Sequence, residues 1–177
     1  MNSKQVIFTS SFKTPYGELL VGDFEGSLCL LDWKYRRMRT TIDKRIQTGL
    51  SADYVEKETS LIQKVKEQLN DYFRKERTEF DIPLKMVGTA FQQLVWKELI
   101  KVPFGKTETY LGLSQKLNNE KAIRAVASAN GANALSIVVP CHRIIGSDGK
   151  LVGYAGGLRV KEKLLNLEGR QRQLELF

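Results

Sequence analysis

A change of period near residue 88 constrains the fold of this chain more than any other feature. Before it, three short runs rich in β-branched and aromatic residues, VIFTSSF (6–12), LLVGDF (19–24) and SLCLLDW (27–33), are separated by the turn signals TPYGE and Glu25-Gly26. Such runs predict a meander of antiparallel strands. After it, apolar residues recur at three and four, the period of a helix with one buried face. The chain therefore reads as α+β: a small N-terminal antiparallel sheet with a helix over residues 1–87, then a mainly helical part over 88–177. At 177 residues it suits one domain or two small ones, with length enough to bury a core.

The first half carries one clear helix, 59–73, whose Leu61, Ile62, Val65, Leu69, Tyr72 and Phe73 form a stripe. The stretch 34–58 is polar and poorly patterned and reads as a long loop. In the second half, Thr89 and Gln92 have the spacing of a capping box. Phe91, Leu94, Val95, Leu99 and Ile100 then line a helix that stops before Pro103. Thr109 can cap a short helix through Leu117, and Asn118 or Asn119 another over 120–130 that Gly131 closes. Two short helices joined by a tight polar turn outline a helix-turn-helix, a weak signal by itself because helical hairpins are common.

Charge is unevenly placed. The net charge is +8, and residues 1–88 hold 15 Lys and Arg against 13 Asp and Glu, whereas residues 89–177 hold 13 against 7. A basic second half points to a polyanion such as nucleic acid. No apolar run reaches the eighteen residues of a membrane span. The N-terminal MNSKQVIFTSSFK lacks an apolar leader segment, so a cytoplasmic protein with free thiols is expected. Nothing demands more than a monomer.

The segment SIVVPCHRIIG (136–146) holds the one histidine of the chain, His142, directly after Cys141. Ile137, Val138 and Val139 read as a short buried strand that Pro140 ends. A lone Cys-His pair is more often an inert buried thiol beside a histidine than a site. Cys29, inside SLCLL with no histidine near, is that inert case. A reactive Cys141 needs a base, because the thiolate is the nucleophile and apolar surroundings raise the thiol's pKa. Neighbours on extended backbone point apart, so a bridging water between imidazole and sulfur is expected. The imidazole needs an acceptor on its other nitrogen. Glu98, Glu108, Glu120, Asp148, Glu162, Glu168 and Glu175 are the candidates in this half, and periodicity does not choose among them. One histidine and two distant cysteines make no metal cluster, and the glycines of 146–157 follow no dinucleotide pattern, so no cofactor and no metal are expected.

These residues resemble a known family. Pro140-Cys141-His142-Arg143-Ile144 is similar to the active-site motif of the O6-alkylguanine-DNA alkyltransferases, the single-use repair proteins. The blocks GTAFQQLVWKELIKVPFGKTETY (88–110), KAIRAVASANGAN (121–133) and GYAGGLRVKEKLLNLEG (153–169) resemble the family's flanking blocks in order and spacing. QLNDYFRKERTEFDIPL (68–84) is similar to its N-terminal helix and exit strand; residues 1–64 match only loosely.

The resemblance implies that Cys141 takes the alkyl group from O6 of guanine, or of thymine O4, as a thioether. It implies His142 as water-mediated base, Glu168 as its orienter, Asn133 as support of the active-site turn and Tyr110 as donor to the departing base. Arg124 would fill the base stack after the target nucleotide flips out, with Thr109, Tyr110, Ala125 and Ser128 against DNA. Val152, Tyr154, Ala155 and Gly156 would form the base pocket. The implied partner is double-stranded DNA carrying O6-alkylguanine. Ala122, Ala125, Ala127 and Ala129 keep the second helix slim enough to approach DNA.

Three departures from the pattern stand out. Leu111 separates Tyr110 from Gly112 where the family commonly has Tyr-Gly, and Ala155 stands where some members have Ser. Some members hold an N-terminal zinc, for which a chain with one histidine has no ligands. Two other functions compete. A lesion-binding protein would flip the base without accepting the group, but such proteins replace the cysteine. A thiol hydrolase would turn over many times and need an oxyanion hole, which is not evident.

Overall fold

The computed structural model describes residues 3–169, so the candidate acceptor Glu175 and the apolar residues Leu174, Leu176 and Phe177 lie outside the described residues. The fold is α+β. Strands β1 (Gln5–Thr14), β2 (Gly17–Phe24) and β3 (Ser27–Trp33) form the antiparallel meander that the runs predict. The sheet as a whole is mixed rather than antiparallel, because β4 (Ala52–Glu56) adds to β1 in parallel, giving the order β3-β2-β1-β4.

Parallel pairing needs a crossover. Helix α1 (Arg39–Leu50) supplies it from the stretch expected to be a loop. Only Ile42, Ile46 and Leu50 of α1 are buried, a stripe one residue wide in an otherwise polar sequence. They pack with Ile7, Phe24, Cys29, Leu30 and Ala52 on one face of the sheet. On the other face lies α2 (Ser60–Phe73), capped by the Thr59 hydroxyl and buried along the predicted stripe. Cover on both faces explains why SLCLLDW is apolar without alternation. Cys29 fills this core, and burial pushes its thiol up to about 12.

Residues 85–89 lead into α3 (Ala90–Ile100), whose capping box between Thr89 and Gln92 forms as expected. A two-residue strand, β5 (Glu108–Thr109), precedes α4 (Tyr110–Lys116), with the Thr109 hydroxyl accepting from Gly112 N–H. Asn118 and Asn119 do not cap the next helix through their side chains. Asn118, at φ 54°, instead terminates α4: Asn118 N–H bonds to Gln115 O and Asn119 N–H to Ser114 O, the paired bonds of a Schellman ending. A 3-10 turn, Glu120–Ala122, then leads into α5 (Ile123–Gly131), closed at Ala132 rather than by a left-handed Gly131. β6 (Ile144–Ile145) pairs with β5, and α6 (Leu158–Leu167) ends at Glu168.

One core runs through both halves. Leu31 and Trp33 of β3 and Ile62 and Leu69 of α2 join Val95, Leu99, Val126, Val139 and Leu164 in a single apolar cluster. Among the described residues no helix is long and apolar enough to cross a membrane.

Candidate functional site

The run Ile137–Val139 was expected to be a strand and is instead a sharp turn. Val138 N–H bonds back to Ser136 O at 2.8 Å across Ile137, whose φ is 72°. This is the γ-turn of positive φ, uncommon for any side chain and a genuine outlier for a buried β-branched one. Such strain costs of order 1–3 kcal/mol and persists only where the surroundings over-determine it. Pro140, at φ −82° and ψ 62°, makes a second, inverse γ-turn, closed by Cys141 N–H on Val139 O at 2.8 Å. Asn133 holds the whole device: its Nδ2 donates to Val139 O and its Oδ1 accepts from Leu135 N–H, both at 2.9 Å.

Two γ-turns in succession deliver Cys141 into a 3-10 turn, Cys141–Arg143, not the extended backbone expected for it. The thiol is 3% exposed, at the floor of a cleft of about 280 Å³. Burial raises its pKa; a hydrogen bond from Asn133 and the charge of Lys161 act in the opposite sense. At neutral pH the group is therefore a thiol, and it needs a base to react.

His142 is fully buried beside it. Nε2 lies 2.7 Å from Glu168 Oε1, so of the seven acidic candidates Glu168 is the acceptor. Glu168 also takes Arg143 Nε on Oε2 and Arg143 Nη2 on Oε1, each at 2.9 Å, and Tyr72 O–H at 2.7 Å. Burial opposes ionisation of Glu168, but hydrogen bonds and positive charge from His142 and Arg143 prevail and hold its carboxyl at about 2. Burial likewise lowers the pKa of His142, more than Glu168 raises it. A neutral ring beside an ionised carboxylate carries its proton on Nε2. That leaves Nδ1 as an acceptor, and among the described residues Nδ1 has no partner.

The structure brings together most of the residues expected at the site. Tyr110, Tyr154 and Ala155 line the cleft with Cys141. Tyr110 O–H donates to Val152 O at 2.9 Å, so in this state its proton is directed at the 146–157 loop. Burial, then Cys141, raises the Tyr110 pKa, and burial raises that of Tyr154 much further, so both hydroxyls stay protonated. Val152 and Gly156 are not in the cleft wall: Val152 contributes its carbonyl to Tyr110, and Gly156 lies under the Trp33 ring. Thr109 is engaged as the cap of α4. Arg124, Ala125 and Ser128 are exposed on α5, whose Ala127 and Asn130 reach the cleft rim. Leu111 is partly exposed on the first turn of α4.

Several contributors escaped the sequence reading. Asn130 lines the cleft from α5, and Arg36, Arg37 and Met38 line it from the first half. Arg143 is more than a motif letter, since it grips Glu168 with two nitrogens and Val102 O with the third. Lys161 is fully buried on α6 and donates to the carbonyls of Ile144, Val152 and Gly153. Its position in the 161, 164, 165, 168 stripe was the available signal. Lys161→Met keeps the stem and removes the donor; leaving those carbonyls unsatisfied costs about 1–3 kcal/mol. Faster hydrogen exchange across 146–157 in this variant is the expected result; unchanged exchange there would show that the loop does not depend on Lys161.

A larger cleft, about 530 Å³, opens behind Pro140 and Arg143 and is lined by Phe80, Ile82 and Phe104. Its lining holds neither cysteine nor histidine.

Fold and site together define an α+β protein with a buried cysteine at the floor of a cleft, a buried histidine-carboxylate pair beside it and a short helix at its mouth. Residues 7–86 match the family domain described as 6-O-methylguanine DNA methyltransferase, ribonuclease-like domain, and residues 90–170 the one described as 6-O-methylguanine DNA methyltransferase, DNA binding domain. A methylated-DNA–protein-cysteine methyltransferase of Methanosarcina acetivorans is 42% identical over 164 residues, spanning 92% of this chain and 99% of its own. The constitutive methylated-DNA–protein-cysteine methyltransferase of Bacillus subtilis is 36% identical over 91% of this chain and 94% of its own. The crystal structure of Mycobacterium tuberculosis OGT in complex with DNA superposes with a TM-score of 0.78 at 37% identity, covering 91% of this chain and 92% of that one. The chain belongs to the O6-methylguanine-DNA methyltransferase family.

Proposed function

We propose that this protein repairs alkylated duplex DNA by moving an alkyl group from O6 of guanine, or O4 of thymine, to Cys141, one group per molecule. The observation that carries the reading is the buried Cys141 thiol next to a neutral His142 whose Nδ1 is an open acceptor and whose Nε2–H is fixed by Glu168. Residues 88–177 carry DNA binding and transfer, and residues 1–87 support them. The protein works as a monomer.

The chemistry balances without a cofactor. The thiol proton passes through one bridging water to His142 Nδ1. Sulfur attacks the alkyl carbon, the S–C bond forms as the C–O6 bond breaks, and the electron pair leaves on the base. The base regains a proton with the help of Tyr110, which exchanges Val152 O for the departing guanine. The thioether has no easy leaving group, so the protein is spent. A stacked base cannot reach a thiol at the floor of a cleft, so the nucleotide must flip into it, between Tyr110 and the Tyr154–Ala155 wall. In this reading α4 and α5 act as a helix-turn-helix on the minor groove. The partly buried Thr109–Tyr110 turn and the exposed Ala125 and Ser128 face the backbone, and Arg124, exposed on the first turn of α5, replaces the lost stacking.

Intact-protein mass spectrometry after incubation with O6-methylguanine duplex tests this. The expected result is one methyl group per molecule, mapped to Cys141 and never exceeding one equivalent. Unmodified protein that still binds the lesion would favour the lesion-binder reading, and multiple turnovers a hydrolase. Arg124→Ala should slow repair in duplex roughly tenfold or more, since flipping costs a few kcal/mol. Its reaction with free O6-methylguanine should be unchanged; equal losses on both substrates would remove Arg124 from the stack-filling role.

A further inference from the structure

The nucleophile's turn is anchored in the first half of the chain. β3 is an edge strand of the sheet, and an edge strand offers unpaired N–H and C=O groups. Two segments cover it. Leu28 pairs with Pro83 and Lys85, and Leu31 pairs with the turn itself: Leu31 N–H to Ala134 O at 2.8 Å and Ser136 N–H to Leu31 O at 2.7 Å.

The next residue, Asp32, is fully buried. Its carboxylate accepts from Ser136 Oγ at 3.3 Å, from Arg36 Nη1 at 3.2 and 3.0 Å, and from Arg39 Nη1 at 3.0 Å. Arg36 also donates to Asn133 O at 3.2 Å and to Gly131 O at 2.7 Å. One guanidinium thus holds the carboxylate and both sides of the link between α5 and the turn. Asp43 pairs with Arg39, and Arg45, bonded to Ala132 O, adds a third guanidinium beside the two carboxylates. Trp33 extends the grip to the other wall. Its indole N–H donates to Tyr154 O–H at 3.1 Å, and the Ser136 hydroxyl is a hydrogen-bond neighbour of the same Tyr154 hydroxyl.

We propose that Asp32 and Arg36 are positioning residues for the reaction of Cys141, locking the strained Ser136–Val139 turn and the Tyr154 wall into one register. The proposal rests on the reading of Cys141 as nucleophile. A left-handed Ile137 relaxes unless its neighbours over-determine it. The Asp32–Arg36 clamp supplies that constraint at Ser136, Asn133 and Gly131, five to ten residues before the sulfur. A shift of ~1 Å at a reacting atom can cost ~10²-fold in rate. The first half is therefore part of the reactive apparatus, although none of its residues is assigned to the chemistry.

Asp32→Asn, Ser136→Ala and the double variant test this through three readouts. These are the transfer rate constant at saturating O6-methylguanine duplex, the Kd for that duplex, and the rate of Cys141 modification by iodoacetamide across pH 6–9. Asp32→Asn is expected to slow transfer ~10²-fold, with Kd changed by less than about twofold and a displaced iodoacetamide pH profile. Ser136→Ala should have a smaller effect of the same kind, and the double variant should be no slower than Asp32→Asn, as coupled residues require. Circular dichroism fixes the folded fraction. Where Asp32→Asn is unfolded, Ser136→Ala decides, because it removes one neutral hydroxyl and strands no charge. Unchanged rates in folded variants, additive losses in the double variant, or a rate loss matched by an equal loss of DNA affinity would each overturn the proposal. Wild-type protein that never accepts a methyl group would instead overturn the functional reading, and the iodoacetamide profile would still decide the positioning role.

Discussion

Cys141→Ala is expected to abolish methyl transfer completely while leaving affinity for lesion-bearing duplex within about twofold of wild type, since alkyl transfer and groove binding use different groups. The sulfur sits at the cleft floor and makes no contribution to the exposed face of α5. That helix is held from behind: Trp96 Nε1–H donates to Ala129 O at 2.8 Å, and Arg45 donates to Ala132 O at 2.9 Å while lying over the Trp96 ring. None of these supports involves the thiol. Removing one buried sulfur should cost no more than about 1–2 kcal/mol, so the variant folds. Cys29→Ala is the control. That thiol is held near 12 by burial in the opposite face of the sheet and should be silent in transfer. Labelled methyl appearing on Cys141→Ala protein would reveal a second acceptor and undo the assignment of the nucleophile.

What could be seen in the sequence depended on the range of the interaction. The meander, the α2 stripe and the Thr89–Gln92 box are written in neighbouring residues, and each formed. Cys141 and His142 were visible because they are adjacent, but the choice of Glu168 came from resemblance, since its partner lies twenty-six positions away. α1 and β4 were hidden because three buried residues in twelve leave almost no apolar signal, and parallel pairing to β1 has no local mark. Ile137 departs from the predicted strand for a physical reason. Val and Ile favour strands, and only the surrounding bonds from Asn133, Leu31 and Leu135 force one of them into a left-handed turn. Stripe position gives the burial of Tyr72 on α2 and Lys161 on α6 but not their polar partners, Glu168 and the Val152 carbonyl, which lie far off in the sequence or on another element.

Glu168→Gln should be the most destabilising single exchange at the site. The carboxylate is the common acceptor of His142, Arg143 and Tyr72, and Arg143 is itself buried. An amide offers one acceptor oxygen where the ionised group offered two, and it turns its own N–H bonds toward donors. Removing one partner of a buried pair typically costs about 3–5 kcal/mol because the other charge stays behind. For a chain of this size that is roughly a 10 °C fall in Tm. The pH dependence should change with it. Glu168 ionises at about 2 in the folded protein against 4.5 ordinarily, so the unfolded chain binds the extra proton between those values. Stability from this group, on the order of 3 kcal/mol, is then complete above about pH 4.5 and lost as pH falls toward 2. His142 acts in the same direction from higher pH. Its folded pKa lies below 6.5, so acidification below 6.5 favours the unfolded chain. Urea unfolding at pH 7, 4 and 2.5 should show wild-type stability declining with acid, and the variant starting lower and declining less between pH 4 and 2.5, where Glu168 takes up its proton. A variant with wild-type midpoints at all three pH values would mean that Glu168 is not ionised in the folded protein. His142 would then lose its fixed Nε2 proton, and with it the open Nδ1 on which the base role depends.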